Sequence, residues 1–397
     1  MMKRLGMMLG ALALLSCGDD GSGTGTEGAT MGTGPSTSGS PSTTMQPMPT
    51  LTGSGSGGQS GGSESSGDES SSDGGMVDTT TTGPMGPPPE CVETVDAANA
   101  LLAALDGDQT ADAAYPWDDQ ERTRFEFLPP NSAGRNGLTL RDVDDAQTAL
   151  LATFLQAAMS SAGYTKVEEI RALESVLAMQ ESGQPVTDNR DPDNYFITIF
   201  GTPNVDGGMP WGWRFEGHHL SIHSSMLDCE SFVATPAFWG ASPMLDPIQD
   251  EVSLSTMLWE SLDGAQQGQA DVNVGANAVD ERDGLLSMLA AEGLPAGEMD
   301  AAQVGLLRDL VAEFAENMNA PTADQRIEAI EAAGFDEVRF AYDGNDGNWR
   351  VLGPTFVIEF IYAGNTHVHA VWRDYDGDYG EDLIAKHVAE HHHEHAH

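Results

Sequence analysis

The chain has 397 residues, and its 62 acidic residues against 17 basic ones give a formal net charge of −45. Eight acids precede Glu90 and two bases lie in the first 17 residues, so the part from Glu90 onward still carries 54 acids and 15 bases, a net of −39. A field of this sign repels nucleic acid and anionic lipid, which excludes both as partners bound through charge.

The N-terminus is typical of an exported protein. Lys3 and Arg4 precede an apolar run from Leu5 to Leu15, and Ser16-Cys17 follow. This order is a basic region, a short hydrophobic region and a small-residue processing site. The run is shorter than the about 20 residues that a membrane-spanning helix needs. One interpretation of this order is an ordinary signal peptide in which the cysteine is incidental.

The end of this leader resembles the lipobox of bacterial lipoproteins, carried by Leu14-Leu-Ser-Cys17. The resemblance implies that residues 1–17 are a lipoprotein signal peptide and that Cys17 is lipidated. Residues 18–89 are rich in Gly, Ser, Thr and Pro and predict a disordered tether. We therefore expect a protein of the bacterial cell envelope, periplasmic or surface-exposed, that meets the membrane only through its lipid anchor.

A folded domain is expected at residues 90–390, followed by a histidine-rich tail at 391–397. Cys91 and Cys229 remain in an oxidising compartment where disulfides persist. They either pair with each other or stay as buried thiols. No histidine motif lies beside either residue, so a catalytic cysteine is the least favoured hypothesis.

Apolar periodicity predicts helices in the first part of the domain and strands in the middle. The predicted helices cover 91–105, 142–162 and a segment from Thr165, as the capping residue, to about Met179. The predicted strands cover 195–200, 211–222 and 232–235.

Helices are expected again at 251–262, 281–291, 301–317 and 323–333, where Gly334 ends the last one. Strands then follow as a meander at 338–342, 348–351, 355–361 and 366–372, and a short helix begins near Tyr379. The fold class is therefore α+β, a single large domain with helical blocks packed around an antiparallel or mixed sheet. No internal repeat is visible at the periods typical of solenoids or propellers.

All eleven histidines lie in the last 180 residues, in three clusters. His218, His219 and His223 form the first, His367 and His369 the second, and the third begins at His387. Imidazole is the commonest metal ligand in proteins. His367 and His369 lie two apart on a predicted strand, so their side chains share a face and could bind one ion.

His218 and His219 extend this hypothesis. If they lie on a strand, they face opposite ways, so only one of them joins His367 and His369. Three imidazoles would leave one coordination position open, as in catalytic zinc sites, and copper also accepts imidazole. Glu216 or Asp374 could then serve as a fourth ligand or general base. The alternative is a set of histidines that serve only the fold.

Other motifs are weaker. The alternating carboxylates of residues 374–382 resemble an EF-hand loop, but the glycine expected at the sixth place stands at the seventh, as Gly380, and the closing glutamate is missing. The tail from His391 to His397 is either compositional metal-binding material or a frayed terminus. Trp211 and Trp213 are expected in the core, with a ligand platform as the alternative.

Three segments together resemble a bacterial family named only as domain of unknown function thirty-five hundred. They are Trp211-Gly-Trp-Arg-Phe-Glu-Gly-His-His-Leu-Ser221, His367-Val-His-Ala-Val-Trp-Arg-Asp374 and Asp378-Tyr-Gly-Glu-Asp382. The resemblance runs from Cys91 to about His392, and His223 departs from the asparagine expected near that position. It implies a secreted or anchored protein and supplies no activity or ligand set.

The sequence thus favours a surface-anchored, metal-binding protein with histidine-ligated zinc or copper, either a metal-dependent hydrolase or an oxidoreductase. Two alternatives stay open. One is a non-catalytic lipoprotein that binds or sequesters metal, and the other is a structural surface domain.

Overall fold

The structure is a computed structural model that describes residues 86–130, 134–206, 208–274, 291–364, 366–381 and 383. The predicted signal peptide with Cys17, the tether up to residue 85 and the tail at 391–397 lie outside these residues, as does nearly all of the helix predicted at 281–291. Among the residues described, no helix is both long and apolar enough to cross a membrane.

The described part of the chain contains eight α-helices. They are α1 (Pro89–Ala104), α2 (Gly107–Ala113), α3 (Asp145–Ala158), α4 (Ser161–Ser182), α5 (Gln249–Ser261), α6 (Gly264–Ala270), α7 (Ala301–Ala315) and α8 (Ala320–Gly334). The helix predicted at 142–162 ends early, because Ser160 caps α4 by accepting a hydrogen bond from the Gly163 amide. Thr165, predicted as a cap, lies inside α4 and donates to the Ser161 carbonyl instead.

Twelve strands form one mixed sheet in the same part of the chain. They are β1 (Ala114–Tyr115), β2 (Leu138–Thr139), β3 (Phe196–Phe200), β4 (Trp211–Gly217), β5 (Leu220–Leu227), β6 (Ser231–Val233), β7 (Ala237–Ala241), β8 (Leu294–Pro295), β9 (Arg339–Tyr342), β10 (Trp349–Leu352), β11 (Phe356–Gly364) and β12 (His367–Asp374). Their order is β1-β3-β4-β5-β7-β12-β11-β10-β9-β8, with β2 beside β3 and β6 beside β5. Only β1 and β3 pair in parallel among these strands, so the predicted α+β class is confirmed.

The middle of the sheet differs from the prediction in two places. The strand predicted at 211–222 is wrong, because β4 and β5 form a hairpin with Gly217 opposite Leu220 and His218-His219 as its two-residue turn. The strand β7 was not predicted, although it lies at the centre of the sheet. It is a five-residue run between Pro236 and Pro243, so it is too short to show a period.

The two faces of the sheet bury different chemistry. Most side chains on the helix-covered face are apolar and join helix residues such as Phe154 and Phe314 in the main core, with Trp211 and Trp213 among them. The opposite face carries buried polar side chains, including Arg214, Glu216, Ser221, His223 and Arg373. Cross-strand partners point to the same face, and Arg214 lies opposite His223 while Glu216 lies opposite Ser221. We call this second face the polar face.

In the described residues the chain contains a long repeat, in which four helices and five strands occur twice in the same order, while β1 and β6 occur in the first half alone. Residues 89–241 give α1 to α4 with β1 to β7, and residues 249–374 give α5 to α8 with β8 to β12. In the first half β2 pairs with β3, β3 with β4, β4 with β5 and β5 with β7; in the second, β8 pairs with β9, β9 with β10, β10 with β11 and β11 with β12. The halves meet where β7 and β12 pair antiparallel, which relates them by an approximate two-fold axis.

The repeat extends to hydrogen bonds. In the first half Gln109 and Gln147 bond each other, and Gln147 also donates to the Ala104 carbonyl. In the second half Gln266 and Gln303 bond each other, and Gln303 donates to the Ser261 carbonyl. Each glutamine also completes a capping box at the start of its helix.

Cys91 and Cys229 form a disulfide with their Cα atoms 5.9 Å apart. The bond ties the first helix to the turn after β5, within the first half. A covalent link across 138 positions restricts the unfolded chain and should contribute on the order of 4 kcal/mol.

Candidate metal centre

Three histidines converge at the centre of the sheet, two from β12 and one from the hairpin turn. His367 and His369 lie two residues apart on β12, so both side chains point to the polar face, as predicted. His219 reaches them from the turn between β4 and β5. The candidate site therefore combines side chains from both halves of the repeat.

The backbone fixes His219 in an unusual conformation. Its φ is 63°, in the left-handed region, and a positive φ at the second central residue alone is typical of a type II turn. The amide of His219 donates to the Phe127 carbonyl at 2.9 Å, and its carbonyl accepts from the Gly240 amide on β7 at 2.8 Å. The second bond holds the turn against β7, next to the strand that carries His367 and His369, and the first ties the turn to the segment around Phe127.

The imidazole nitrogens lie close together. Nε2 of His367 is 2.9 Å from Nε2 of His219 and 3.0 Å from Nε2 of His369. Two nitrogens at the usual zinc distance lie about 3.3 Å apart when they subtend a tetrahedral angle. The observed separations are a few tenths of an ångström shorter, so a small outward movement of the rings would fit one ion.

Hydrogen bonds between the three imidazoles cannot satisfy all three Nε2 atoms at once. The Nε2 atom of a neutral imidazole carries either one hydrogen or one lone pair in the ring plane. Nε2 of His367 faces two other Nε2 atoms, and one hydrogen or one lone pair serves only one of them well. A cation accepts all three lone pairs at once, so the donor set fits a metal ion.

Two of the three imidazoles, those of His219 and His369, are held neutral. Burial, followed by the charges of neighbouring imidazoles, holds the pKa of His219 well below its usual range. Burial and His367 lower the pKa of His369 to about 3. Neutral imidazole is the form that binds metal, so protons do not compete strongly for these nitrogens near pH 7.

Aromatic rings form the wall of the site. Phe127 and Phe238 stack with their centroids 3.8 Å apart, and Phe238 lies 5.1 Å from the ring of His369. His219 is buried, whereas His367 and His369 are partly exposed. The site is thus closed on the side of the turn and approachable on the side of β12.

His218 lies beside the centre but has other partners. Its ring stacks on that of His219 at 3.8 Å, and its Nδ1 lies 2.5 Å from Oε1 of Glu174 on α4. Nη1 of Arg190 lies 3.1 Å from the same Nδ1. Both contacts occupy that nitrogen, so His219 is the better candidate for a third ligand, and His218 supports its ring. The prediction that only one of the pair joins His367 and His369 agrees with this geometry, although the reason is a turn and not strand alternation.

Glu174 belongs to the surroundings of the site and was not predicted. Burial raises its pKa to about 8, against the opposing charge of Arg190. Burial and the cations Arg190 and Arg135 hold the pKa of His218 well below its usual range. Near pH 7, Glu174 is therefore mainly protonated and donates to the imidazole. Its sequence signal is a carboxylate on the core-facing side of α4, between the buried residues Leu173 and Leu177.

Glu174, His218 and His219 could also hold an ion by distance alone, since their ligand atoms lie within 4.8 Å of one another. The guanidinium of Arg190 disfavours a second cation there, because like charges at about 3–4 Å repel strongly in a buried site. The three-histidine group is therefore the better metal site.

The two predicted carboxylates do not join the histidines. Glu216 lies on the polar face, where Arg214 and Arg135 approach it at 3.3 and 3.7 Å. Asp374 is five residues from His369, an odd spacing that places it on the helix-covered face. There it forms a bidentate ion pair with Arg326. Neither carboxylate is among the residues that could hold the metal.

The remaining predicted motifs have structural partners or lie outside the described residues. His223 lies on the polar face with its ring against Tyr379 at 5.1 Å. In the EF-hand-like segment, Asp374 forms an ion pair with Arg326 and Asp378 forms one with Arg373. The carboxylates that calcium would need are therefore already paired with arginines. The histidine tail from His391 lies outside the described residues.

Comparison with known proteins identifies a protein family but no individual curated protein or solved structure. No curated protein and no solved structure matches the chain. Residues 90–381, which contain every residue of the three-histidine site and its surroundings, match the family model described as protein of unknown function (DUF3500). The chain therefore belongs to the DUF3500 family, as its sequence motifs predicted.

Proposed function

We propose that this protein binds one zinc or copper ion through His219, His367 and His369. The observation that carries the proposal is the convergence of three Nε2 atoms, with neighbouring separations of 2.9 and 3.0 Å. All-imidazole ligation suits both metals, whereas calcium and magnesium prefer oxygen ligands.

A catalytic role follows from the number of ligands. Three protein ligands leave a coordination position for water or substrate, as in catalytic zinc sites, whereas structural zinc sites are closed by four. Zinc in such a site lowers the pKa of bound water to about 7, and copper would supply redox chemistry. We propose a metal-dependent hydrolase or oxidoreductase, with the partial exposure of His367 and His369 giving access.

The setting of this activity is the bacterial cell envelope. The lipobox-like Leu14-Leu-Ser-Cys17 and the tether that follows support anchoring through a lipid on Cys17. The disulfide between Cys91 and Cys229 is consistent with an oxidising compartment. The tether would hold the domain away from the membrane surface, whose anionic lipids the acidic domain would not bind.

Metal content is the decisive measurement. The untagged chain is exported to a bacterial periplasm, purified without chelator and analysed by inductively coupled plasma mass spectrometry. We expect one zinc or copper per chain, which is lost when His367→Ala and His369→Ala are combined. A matched variant with the five histidines of residues 391–397 changed to alanine should keep that ion.

The other outcomes favour other functions. Several exchangeable ions that depend on the tail would support a metal-sequestering lipoprotein. A folded chain that is purified without metal and takes up neither zinc nor copper at micromolar concentration would contradict the proposal and favour a structural domain. Thermal unfolding of each variant shows whether a lost ion reflects a lost ligand or a lost fold.

A further inference from the structure

Gly240 lies directly opposite a candidate ligand in the central pair of strands. In the antiparallel ladder of β7 and β12, Gly240 is the partner of His369, so a side chain at position 240 would point to the polar face. Its neighbours Trp239 and Ala241 belong to the main core on the helix-covered face. The glycine therefore leaves a space without a side chain on the polar face, next to His369.

The imidazole of His219 occupies this space. A Cβ atom built on Gly240 would lie 3.2 Å from Cδ2 of His219, which is the ring carbon bonded to Nε2. It would also lie 3.0 Å from Cε1 of Phe238 and 3.1 Å from the carbonyl oxygen of Val368. Carbon atoms pack best at about 3.5–4.0 Å, so any side chain at this position would force the ring to move.

His219 has little freedom to make room. Its amide donates to the Phe127 carbonyl at 2.9 Å, and its carbonyl accepts from the Gly240 amide at 2.8 Å. The ring of His218 stacks on the ring of His219 with centroids 3.8 Å apart, and Glu174 holds His218 in turn. The same glycine thus fixes the backbone of His219 through its amide and accommodates the ring because it has no side chain.

The second half of the repeat shows the other arrangement. The bond from the Gly240 amide to the His219 carbonyl has a counterpart, in which the Tyr375 amide donates to the Thr355 carbonyl at 3.0 Å. Each donor follows the strand residue that pairs with the first residue after the turn. Tyr375 packs against a buried apolar cluster that includes Val371 on the polar face. The half with glycine at this position has a histidine in the turn, whereas the half with tyrosine has a threonine.

We infer that Gly240 is a positioning residue of the metal site, because it leaves the space in which the imidazole of His219 lies beside His369. This inference rests on the proposed binding of metal by His219, His367 and His369. A side chain at position 240 displaces the third ligand, whereas the other two are carried by β12 itself. The chain then keeps its fold and binds metal through two imidazoles.

Two substitutions of different size test this role. Gly240 does not have a positive φ, so alanine or valine can be placed there without backbone strain. The full chain is titrated with zinc and, separately, with copper, in competition with a chromophoric chelator. Gly240→Ala should lower the metal affinity about tenfold and Gly240→Val about 100-fold, the range usual for groups that orient a ligand.

Gly364→Ala is the matched control for these substitutions. Gly364 is also a strand glycine near the site, on β11, but a Cβ atom there would meet Cβ of His367 at an ordinary 3.6 Å. Its metal affinity should equal that of the wild type.

A second comparison separates a displaced ligand from a damaged fold. His219→Asn already lacks the ring, so adding Gly240→Val should cause no further loss of affinity, because both changes remove the same ligand. A purely structural effect of valine would instead add to that of His219→Asn. In the metal-free chain, the NMR signal of the His219 Cδ2 group should shift in Gly240→Ala, and thermal unfolding shows that each variant is folded.

The inference is overturned if Gly240→Val binds metal as tightly as the wild type, or if its effect adds fully to that of His219→Asn. Should Gly240→Val fail to fold, Gly240→Ala and its combination with His219→Asn decide the question in the same way. A wild-type chain that binds neither zinc nor copper overturns this inference together with the proposed function. A chain that loses its metal in His219→Asn but keeps it in Gly240→Val supports the proposed function and overturns this inference alone.

Discussion

At the scale of single residues, the two adjacent histidines of the hairpin turn have different roles. Nε2 of His219 faces His367, whereas Nδ1 of His218 is engaged by Glu174 and Arg190. The sequence left either residue open as the third ligand. The structure distinguishes them through the direction of each ring and through the partners that each ring already has.

This difference predicts unequal effects of the same substitution. His219→Asn removes a ligand and should lower metal affinity by at least about 100-fold, because two imidazoles then remain. His218→Asn removes only a supporting ring and should lower the affinity by about tenfold, as is usual for groups that orient a ligand. Asparagine tolerates the left-handed backbone of His219.

Competition with a chromophoric chelator measures both affinities. Comparable losses in the two variants would contradict the assignment of His219 as the ligand, provided that both variants unfold at similar temperatures.

Glu174 gives a second prediction, on stability and pH. Its pKa is raised from 4.5 to about 8 in the folded chain, mainly by burial. The folded state thus holds a proton that the unfolded state releases above pH 4.5. The stabilisation from this proton is complete below about pH 4.5 and is lost as the pH rises towards about 8.

Glu174→Gln keeps the shape and cannot ionise. In metal-free protein, the wild type should lose stability relative to this variant by on the order of 2–4 kcal/mol between pH 4.5 and pH 8. Urea unfolding at several pH values measures the difference. Glu169→Gln, at an exposed position of α4, is the control and should show no such trend. A difference that stays constant up to about pH 6.5 and falls only above it would mean that Glu174 is ionised and paired with a charged His218.

At the scale of elements, periodicity predicts what is long and amphipathic. The four strands of the final meander and the histidine pair on β12 follow from alternation, because side chains two apart share a face. The same rule would have excluded Asp374 from the histidine site, because it lies five residues from His369 and so faces the other side of the sheet. The contact that removes it, with Arg326, joins residues 48 positions apart and has no local signal.

Short elements and turns carry less information. The Gly217-His-His-Leu220 segment alternates like a strand, and nothing local shows that Gly217 pairs with Leu220 across a turn. The central strand β7 has five residues between two prolines. The position of His219 depends on both the hairpin turn and β7. The sequence could therefore predict that His218 or His219 joins the other two histidines, but not which of them does.

The repeat also has a sequence signal, although its period is far longer than that of a solenoid. Leu105-Asp-Gly-Asp-Gln109 matches Leu262-Asp-Gly-Ala-Gln266, and Trp213-Arg-Phe-Glu-Gly217 matches Trp349-Arg-Val-Leu-Gly353. Gly137 and Gly293 occupy equivalent positions, and both have positive φ where a side chain would meet the strand beside them. The two halves share few identical residues, because what they have in common is the position of helix caps and glycines and the register of the strands.

At the scale of the whole molecule, the three-histidine cluster breaks the symmetry of the repeat. Since Gly217 corresponds to Gly353, the turn equivalent to His218-His219 is Pro354-Thr355. Only the first half therefore has the histidine turn, and only β12 of the second half carries the histidine pair. The site exists because two different halves meet at the β7 and β12 pairing.

This division predicts that neither half binds the metal alone. A chain cut between residues 245 and 246 leaves His219 in one fragment and His367 with His369 in the other. Each fragment should take up metal weakly, with one or two imidazoles and an exposed edge strand, β7 or β12, that favours self-association. Co-expressed fragments should pair through those edges and recover one ion per complex.

Mass spectrometry of the intact complex measures both the pairing and the metal. The control is the same pair of fragments with His369→Ala, which should associate but bind far less metal. If the second fragment alone binds one ion as tightly as the whole chain, His219 is not a ligand, and the centre belongs to β12 alone. If the fragments pair and remain metal-free while the uncut chain is loaded, the cut itself disturbs the turn. The hydrogen bond from the Gly240 amide to the His219 carbonyl would then be the element to restore.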